Sequence, residues 1–333
     1  MAKLKAMLLW LVLVSELLKP LLGFHISIAR EISSSSLYSS STISETQDLS
    51  TSVRFESPPM TVYLEDTDAY GIMFNTNYLR SYDRALHLTT SNRNLNTSVT
   101  SQHDGWTIVS MGKQKFISSP ALGKDFVVQA ILKDSGEMRE VWDMQMKSPN
   151  GESVFNKVTD LQILKPNSSS IDGKSILSLP RVDPFIFDDN IPKKVDYFTI
   201  YRDEIDAHWT RHLPLRNALN LFERARTNLL GGPEDLRRLQ QEDSLIIVVT
   251  GIENCSLVDE GKICDPGEQV EVETAYIVKR RGMILECWQT LRCGGSRLAQ
   301  GRVHLMFLNA KTRRPTAKFP QWVREKLGLD EAG

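Results

Sequence analysis

The sequence predicts an α+β protein that contains two tandem copies of one unit. In residues 60–164, a short strand-like run leads into an amphipathic helix and then into several strand-like runs separated by turn residues. The same order recurs in residues 198–315. Tyr201 follows Tyr63 by 138 residues, and the offset between later matching landmarks grows to 145 residues. A slowly growing offset indicates an internal repeat with small loop insertions.

Composition indicates a globular protein without the excess of basic residues that is typical of nucleic-acid-binding proteins. The 333 residues include 40 Lys and Arg against 41 Asp and Glu, which gives a net charge of −1. Hydrophobic residues make up 41% and charged residues 24% of the chain, as in ordinary globular domains. The four cysteines all lie in the second half and form no Cys-x-x-Cys pair, which favours reduced thiols over the disulfide framework of a small secreted protein.

Residues 1–57 are predicted to be a targeting sequence followed by a disordered linker. Two lysines precede an apolar run at residues 7–14, which charged residues soon interrupt, so a signal peptide is favoured over a membrane span. Residues 33–52 are rich in Ser and Thr and poor in acids, which is typical of transit peptides. This order, with Phe24 near the expected cleavage point, resembles the bipartite plastid targeting of algae with complex plastids. The secretory pathway is the alternative destination.

The first unit is predicted at residues 58–165. It begins with a strand at residues 61–64, and a helix at residues 75–88 follows because apolar residues recur there at helical spacing. Turn residues then separate strands at residues 107–111, 114–117, 126–132, 139–147 and 153–164.

A linker at residues 166–194, rich in Pro and Ser, leads to the second unit at residues 195–315. That unit is predicted to contain a strand at residues 198–201 and a helix at residues 213–230, which Gly-Gly-Pro terminates. Four strands follow, and a tail at residues 316–333 carries a short helix. The strands are expected at residues 245–250, 269–279, 284–292 and 298–308.

A candidate site lies where the first strand leads into the helix. Asp68 stands a few residues before the helix, with Gly71 and Asn75 between them. A carboxylate can act as a general base or a nucleophile, and the N–H groups at a helix N-terminus can polarise a carbonyl. This combination suits acyl transfer. The structural alternative is that Asp68 closes a turn or caps the helix.

This segment resembles the signature of the 4-hydroxybenzoyl-CoA thioesterase-like branch of the hotdog fold, an Asp-x-Asp-x-x-Gly pattern followed by Asn-Tyr on a helix. The resemblance implies two tandem hotdog domains, each a curved antiparallel sheet wrapped around a long central helix. It implies that Asp68 is the catalytic carboxylate, that Gly71 shapes its loop and that the N–H near Asn75 binds the thioester oxygen. Asn77 and Tyr78 are the implied substrate contacts. Many relatives have His at the position of Asn75, and Asn donates hydrogen bonds but does not transfer protons.

The second copy carries a weaker version of this motif. Asp206 corresponds to Asp68, but Trp209 stands in place of the glycine that permits close backbone approach. The weaker motif favours a structural role for this copy, with Asp206, His208 and Glu223 as candidates for a second site. The tandem order is loosely similar to that of plant acyl-carrier-protein (ACP) thioesterases, in which the C-terminal half is catalytic.

The resemblance implies an acyl thioesterase that hydrolyses an acyl-CoA or acyl-ACP thioester to free acid and thiol. Asp68 would act as a general base toward water or as a nucleophile that forms a mixed anhydride, and both routes stay open. The alternatives are a hotdog dehydratase or isomerase, which would need a histidine in the first motif, and a non-catalytic acyl-binding protein.

No cofactor and no metal ion are expected. The sequence has no phosphate-binding glycine loop, and His208 and His212 lack the surrounding pattern of a helical metal site. The expected partner is the thioester substrate, without nucleic acid or stable membrane insertion. A homodimer of double hotdogs is an open expectation.

Overall fold

The fold is described from a computed structural model. It covers residues 53–68, 71–93, 107–136, 139–164, 179, 182–188, 190–205, 213–258, 264–317 and 319–328. The predicted targeting segment up to residue 52 lies outside these residues, as do Asp206, His208 and Trp209. From Thr51 onward the chain forms one compact unit. No helix within the described ranges is long and apolar enough to cross a bilayer.

The first half contains six strands and one long helix. They are β1 (Arg54–Glu56), β2 (Met60–Thr61), α1 (Asn77–Arg93), β3 (Thr107–Phe116), β4 (Asp125–Ser135), β5 (Arg139–Lys147) and β6 (Val154–Leu164).

The second half contains five strands and three helices. They are β7 (Lys193–Thr199), α2 (Leu215–Leu229), α3 (Pro233–Gln241), β8 (Leu245–Leu257), β9 (Gln269–Lys279), β10 (Ile284–Cys293), β11 (Ser296–Asn309) and α4 (Gln321–Lys326).

All eleven strands join one antiparallel sheet in the order β1-β4-β5-β6-β3-β8-β11-β10-β9-β7, with β2 also pairing with β4. The strand order is the same in both halves, because β1-β4-β5-β6-β3 in the first half corresponds to β7-β9-β10-β11-β8 in the second. The halves meet where β3 pairs with β8, from Ser110 opposite Ser256 to Lys115 opposite Gly251. The predicted α+β class with antiparallel strands is confirmed.

The two long helices supply the apolar stripes that cover the sheet. On α1, Tyr78 and Tyr82 are fully buried, and the Tyr82 hydroxyl donates to Asn156 Oδ1 at 2.5 Å. On α2, Leu219 and Phe222 are buried in the same way. Burial of these side chains at helical spacing is the main stabilising term, since each large apolar side chain contributes roughly 1.5–3 kcal/mol.

A short 3₁₀ turn precedes each long helix, and equivalent hydrogen bonds stabilise this turn in the two copies. Asp66 Oδ2 accepts from the Tyr63 N–H at 3.0 Å, and Glu204 Oε2 accepts from the Tyr201 N–H at 3.0 Å. The first asparagine of each helix then donates to the backbone of its turn, Asn77 at 3.1 Å and Asn217 at 2.6 Å. The repeat predicted from sequence offsets therefore extends to individual hydrogen bonds.

Two strands differ from the sequence prediction at the edges of the sheet. β1 lies inside the segment that was predicted to be targeting sequence and linker. Arg54–Glu56 forms a strand because it pairs with β4, and no local sequence pattern predicts that contact. β7 begins at Lys193, inside the predicted linker, because it pairs with β9 along its whole length. Residues 54–56 and 193–194, which were predicted to lie in linkers, are therefore strand residues.

Inside the halves, several strands, including β3, β4 and β8, are longer than expected, and one helix was missed. β3 continues without a break through residues 111–114, where the sequence predicted the gap between two separate strands. The Gly-Gly-Pro run ends α2 as predicted, but it also starts α3. Gly232 adopts a φ of 94°, and Pro233 occupies the first turn of α3, where a backbone N–H has no partner within the helix and its absence removes no hydrogen bond.

Candidate active site

A cavity of about 640 Å³ lies between the two halves. The first half contributes Asp68 and Asn75, and the second half contributes Glu223 and Arg226 from α2. The remaining wall is largely apolar and comes from α3 and the start of β8. Its residues include Leu230, Pro233, Leu236, Leu239, Leu245, Ile246, Ile247, Val248 and Val249. Pockets of this size and lining are typical of small-molecule sites.

The loop that carries Asp68 is fixed by backbone hydrogen bonds. The Asp68 N–H donates to Ile72 O at 2.9 Å, and the Gly71 N–H donates to Asp68 O at 3.0 Å. Gly71 has a φ of +71°, a conformation that glycine adopts without strain. The Ile72 N–H also donates to Asp68 Oδ1, at a long 3.4 Å. Asp68 therefore closes its turn weakly while its half-buried side chain lines the cavity.

Two backbone donors lie in the short segment between this loop and α1. Within the described part of the chain, the N–H groups of Asn75 and Thr76 have no hydrogen-bond partner, and Asn75 lines the cavity. Both residues precede the 17-residue helix α1, whose dipole places partial positive charge at this end. These N–H groups can accommodate a carbonyl oxygen that becomes negative during acyl transfer.

Asn75 connects the two halves. Its Nδ2 donates to Glu223 Oε2 at 3.3 Å, which orients the amide, because a carboxylate only accepts. Asn75 Oδ1 is buried and has no partner among the described residues. The amide oxygen of Asn75 is thus an acceptor held next to Asp68 in one cavity.

Glu223 is held in turn by a buried arginine. Arg226 forms an ion pair with Glu223 one helical turn away, and the Arg226 side chain is only 3% exposed. Arg226 Nη1 also donates to Gln289 Oε1 at 2.5 Å, and Gln289 Nε2 donates to Phe222 O at 2.9 Å. The chain Asn75–Glu223–Arg226–Gln289 therefore runs from the cavity into the core of the second half.

The pKa of Tyr78 is shifted by burial and by the nearby charge of Asp68. Burial raises the pKa of Tyr78 to about 12; the nearby Ser119 side chain opposes this rise, and the charge of Asp68 adds to it. Tyr78 is therefore neutral at physiological pH, and its ring packs edge-on against Phe116 with centroids 5.1 Å apart. It supports the loop from behind.

The cysteines near Arg226 are not nucleophile candidates. Burial raises the pKa of Cys255 and that of Cys287 to about 12, although Arg226 opposes the rise in both. A thiol with such a pKa has a negligible thiolate fraction near neutral pH, and the thiolate is the reactive form. Asp68 and Glu223 are the carboxylates among the described residues that line this cavity.

Several predicted site residues lie in different surroundings from those that the sequence predicted. Glu223, expected beside Asp206 and His208, instead contacts Asn75 in the first-copy site. Asp206 and His208 lie outside the described residues. Asn77 and Tyr78, expected beside the substrate, do not line the cavity, since Asn77 holds the preceding turn and Tyr78 is buried.

Arg226 and Gln289 were missed as site residues. The available signal was a charged residue on the apolar face of α2, at the position where the first copy has Leu86. Leu86 is 4% exposed and Arg226 is 2% exposed, so the two positions are equally buried. A buried arginine at a leucine position indicates a paired carboxylate nearby.

Replacing Asn77 with Ala is expected to lower the free energy of unfolding by about 1 kcal/mol, because one hydrogen bond to the turn is lost. The matched change Asn217→Ala should have a similar effect, since its side chain makes the equivalent bond. Urea unfolding measures both. Unchanged stability together with a raised KM for Asn77→Ala would instead return this residue to substrate binding.

The equivalent region of the second copy is smaller and has fewer charged residues. A cavity of about 160 Å³ lies beside Asp83, Arg80 and Arg216. Burial lowers the pKa of Arg216, the charges of Arg80 and Arg84 lower it further, and Asp83 opposes the shift. Among the described residues, the main cavity is lined by two carboxylates and three arginines, whereas this region is lined by one carboxylate and two arginines.

No known family model and no curated protein sequence match this chain. Solved structures do. A Lactobacillus plantarum protein provisionally named an oleoyl thioesterase matches with a TM-score of 0.55 and 12% identity, over 77% of this chain and 97% of that one. An acyl-ACP thioesterase from Bacteroides thetaiotaomicron matches with a TM-score of 0.51 and 11% identity, over 76% and 97%. The 12:0-ACP thioesterase of Umbellularia californica matches with a TM-score of 0.51 and 12% identity, over 79% and 94%.

These matches show that the chain shares its fold with acyl thioesterase structures. Each covers about three quarters of this chain and nearly the whole of the other. The similarity to hotdog thioesterases, including plant acyl-ACP thioesterases, is thereby confirmed as a similarity of structure. Activity must be argued from the residues in the cavity, because one fold hosts many functions.

Proposed function

We propose that this protein is an acyl thioesterase that hydrolyses an acyl-CoA or acyl-ACP thioester. The observation that carries the proposal is the single cavity in which the Asp68 carboxylate, the N-terminus of α1 and the Asn75–Glu223 pair meet. Hydrolysis of a thioester needs an activated oxygen nucleophile and donors for the developing oxyanion. These residues supply both.

In the proposed reaction, the thioester carbonyl oxygen lies at the free N–H groups of Asn75 and Thr76. Asp68 either takes a proton from the attacking water or attacks the carbonyl carbon itself and forms an anhydride that water then cleaves. In both routes the carbon–sulfur bond breaks, the thiolate takes a proton, and water supplies the new oxygen of the acid. The same carboxylate performs the chemistry in each route.

Asn75 fills the role of an orienting residue in this proposal. Its Nδ2 is engaged by Glu223, which leaves Oδ1 as a buried acceptor without a partner among the described residues. A small movement of the amide on substrate binding would let this oxygen hold one proton of the attacking water while Asp68 takes the other. The missing histidine of many relatives is therefore compatible with hydrolysis, because Asp68 carries the proton transfer.

The apolar wall of the cavity is the proposed site of the acyl chain. Leu236 on α3 and Ile247 on β8 lie on this wall, where an alkyl chain would be removed from water. Replacing Leu236 with Trp is expected to lower kcat/KM for long acyl chains roughly 10-fold more than for short chains, because the new ring occupies that space. Leu236→Ala is the control that leaves the space open. An unchanged chain-length profile in Leu236→Trp would place the chain elsewhere.

We also propose that each half is one hotdog domain and that the pair acts as a pseudo-dimer. The shared strand order, the β3–β8 junction and the equivalent turns before α1 and α2 support this arrangement. Routing of the chain to a plastid, with the secretory pathway as the alternative, is a separate proposal. A fluorescent fusion of residues 1–57 tests it, and sedimentation tests the homodimer.

The second candidate is an acyl-binding protein without catalysis, which the loss of a histidine at Asn75 favours. One assay separates the two. The chain from Thr51 onward is mixed with a panel of acyl-CoA and acyl-ACP thioesters, and thiol release is followed alongside acyl binding. Thiol release above the rate of spontaneous hydrolysis is expected. Tight acyl binding without any thiol release would establish the binding protein instead.

A further inference from the structure

Two buried thiols that do not line the cavity face each other in the second half. Cys264 Sγ and Cys293 Sγ lie 3.4 Å apart although they are 29 residues apart in sequence. Each residue is only 2% exposed. Cys264 precedes β9, and Cys293 is the last residue of β10. A disulfide has a sulfur–sulfur distance of about 2.05 Å, so closing the bond requires an approach of about 1.4 Å.

We propose that Cys264 and Cys293 form a reversible disulfide by exchange with a small-molecule or protein disulfide. One thiolate attacks the reagent and forms a mixed disulfide, and the second thiolate displaces the remaining half of the reagent. The pair loses two protons and two electrons and gains one sulfur–sulfur bond. The reagent disulfide is reduced to two thiols, so atoms and electrons balance.

Glu268 is placed to take part in this exchange. Its Oε2 lies 3.4 Å from Cys293 Sγ and also accepts from the Asp265 N–H at 2.8 Å. The carboxylate is thereby fixed beside the thiol whose proton must leave. Residues 265–267, between Cys264 and Glu268, are exposed, so the pair lies directly beneath a surface turn. Local opening of that turn would admit the reagent.

The same three side chains also satisfy the distance requirement of a cation site, since their ligand atoms lie within 4.8 Å of one another. Two observations favour the disulfide. The sulfurs are already in contact, and Glu268 Oε2 is engaged by a backbone N–H. Within the described residues the cluster offers three ligands, whereas closed structural zinc sites have four.

The disulfide is expected to stabilise the fold without changing the cavity. It would close a loop of 29 residues and so restrict the unfolded chain. Gln289, the β10 residue that contacts the cavity residue Arg226, is separated from Cys293 by four residues, roughly 13 Å along a strand. The oxidised chain should therefore unfold at a temperature roughly 5 °C higher, with thiol release from thioesters unchanged.

The test equilibrates the chain in buffers with different ratios of reduced and oxidised glutathione, followed by acid quenching, alkylation and peptide mass spectrometry. A peptide pair that links Cys264 to Cys293 is expected in oxidised buffer and should disappear in reduced buffer. Cys255 and Cys287 are internal controls, which should stay alkylatable after denaturation at every ratio. Cys293→Ser should lose both the linked peptide and the rise in unfolding temperature.

Three results would overturn the proposal. The first is four alkylatable thiols in excess oxidised glutathione. The second is glutathione attached to Cys264 or Cys293 without a linked peptide. The third is one equivalent of Zn²⁺ bound to the reduced chain in the presence of a weak chelator, with the ion shielding both thiols from alkylation, which would assign the cluster to a cation. Because the readouts are a peptide mass and an unfolding temperature, failure here leaves the proposed thioesterase activity untouched.

Discussion

Replacing Asp68 with Asn is expected to lower kcat for thioester hydrolysis by roughly 10²- to 10⁴-fold, the range that a positioned acid or base contributes. The asparagine keeps the size of the side chain and an oxygen for the Ile72 N–H, so the loop should retain its conformation. It neither accepts a proton at neutral pH nor attacks a carbonyl. The loss should therefore appear in kcat with an almost unchanged KM, measured by thiol release under saturating substrate.

The matched control is Asp206→Asn, the equivalent change in the second copy. That residue stands in a motif without the glycine, so its replacement should leave kcat within about twofold of the parent. Activity that survives Asp68→Asn and disappears with Asp206→Asn would move the site to the second copy. Equal unfolding midpoints in urea would show that neither change acts through stability.

Replacing Arg226 with Ala is expected to lower the free energy of unfolding by about 3 kcal/mol. The Arg226 side chain is 3% exposed and that of Glu223 is 29% exposed, so the guanidinium is shielded from water and the carboxylate is partly exposed. Removal of the guanidinium leaves Glu223 without its cation, leaves Gln289 Oε1 without its donor and opens a void in the core. Urea or guanidinium unfolding measures the loss.

Arg226→Leu is the control for the void, because the first copy has Leu86 at the equivalent position. Leucine restores apolar packing, so this variant should be more stable than Arg226→Ala, yet it should share the loss of activity because Glu223 is no longer held. If Arg226→Ala unfolds at the same denaturant concentration as the parent, the ion pair contributes no stability. If Arg226→Leu keeps full activity, Arg226 does not position Glu223.

Much of the fold was predictable from the sequence because its signals are local. β5 and β9 begin and end where predicted, since buried and exposed residues alternate along Arg139–Lys147 and Gln269–Lys279. Asp68, Gly71 and Asn75 stand together in one loop, so their proximity also follows from sequence order. Gly71, predicted as a residue of this motif, adopts a positive φ.

The parts that were missed depend on contacts between distant segments. β1 is three residues long and is defined by its pairing with β4, which no local period reveals. The contact of Glu223 with Asn75 was not predicted because it joins residues 148 positions apart. That contact exists because β3 pairs with β8 and brings the second helix over the first loop. Sequence offsets identify the repeat but do not say which surfaces of the copies meet.

The central claim is that one site is built from both halves, and a double-mutant cycle tests it most directly. Asn75→Ala, Glu223→Gln and the double variant are compared with the parent by kcat/KM for one thioester. Because Asn75 Nδ2 donates to Glu223 Oε2 at 3.3 Å, the two changes should be coupled by about 1 kcal/mol, so the double variant loses clearly less activity than the sum of the single losses. Additive losses would contradict a shared site and would leave Asn75 and Glu223 acting separately.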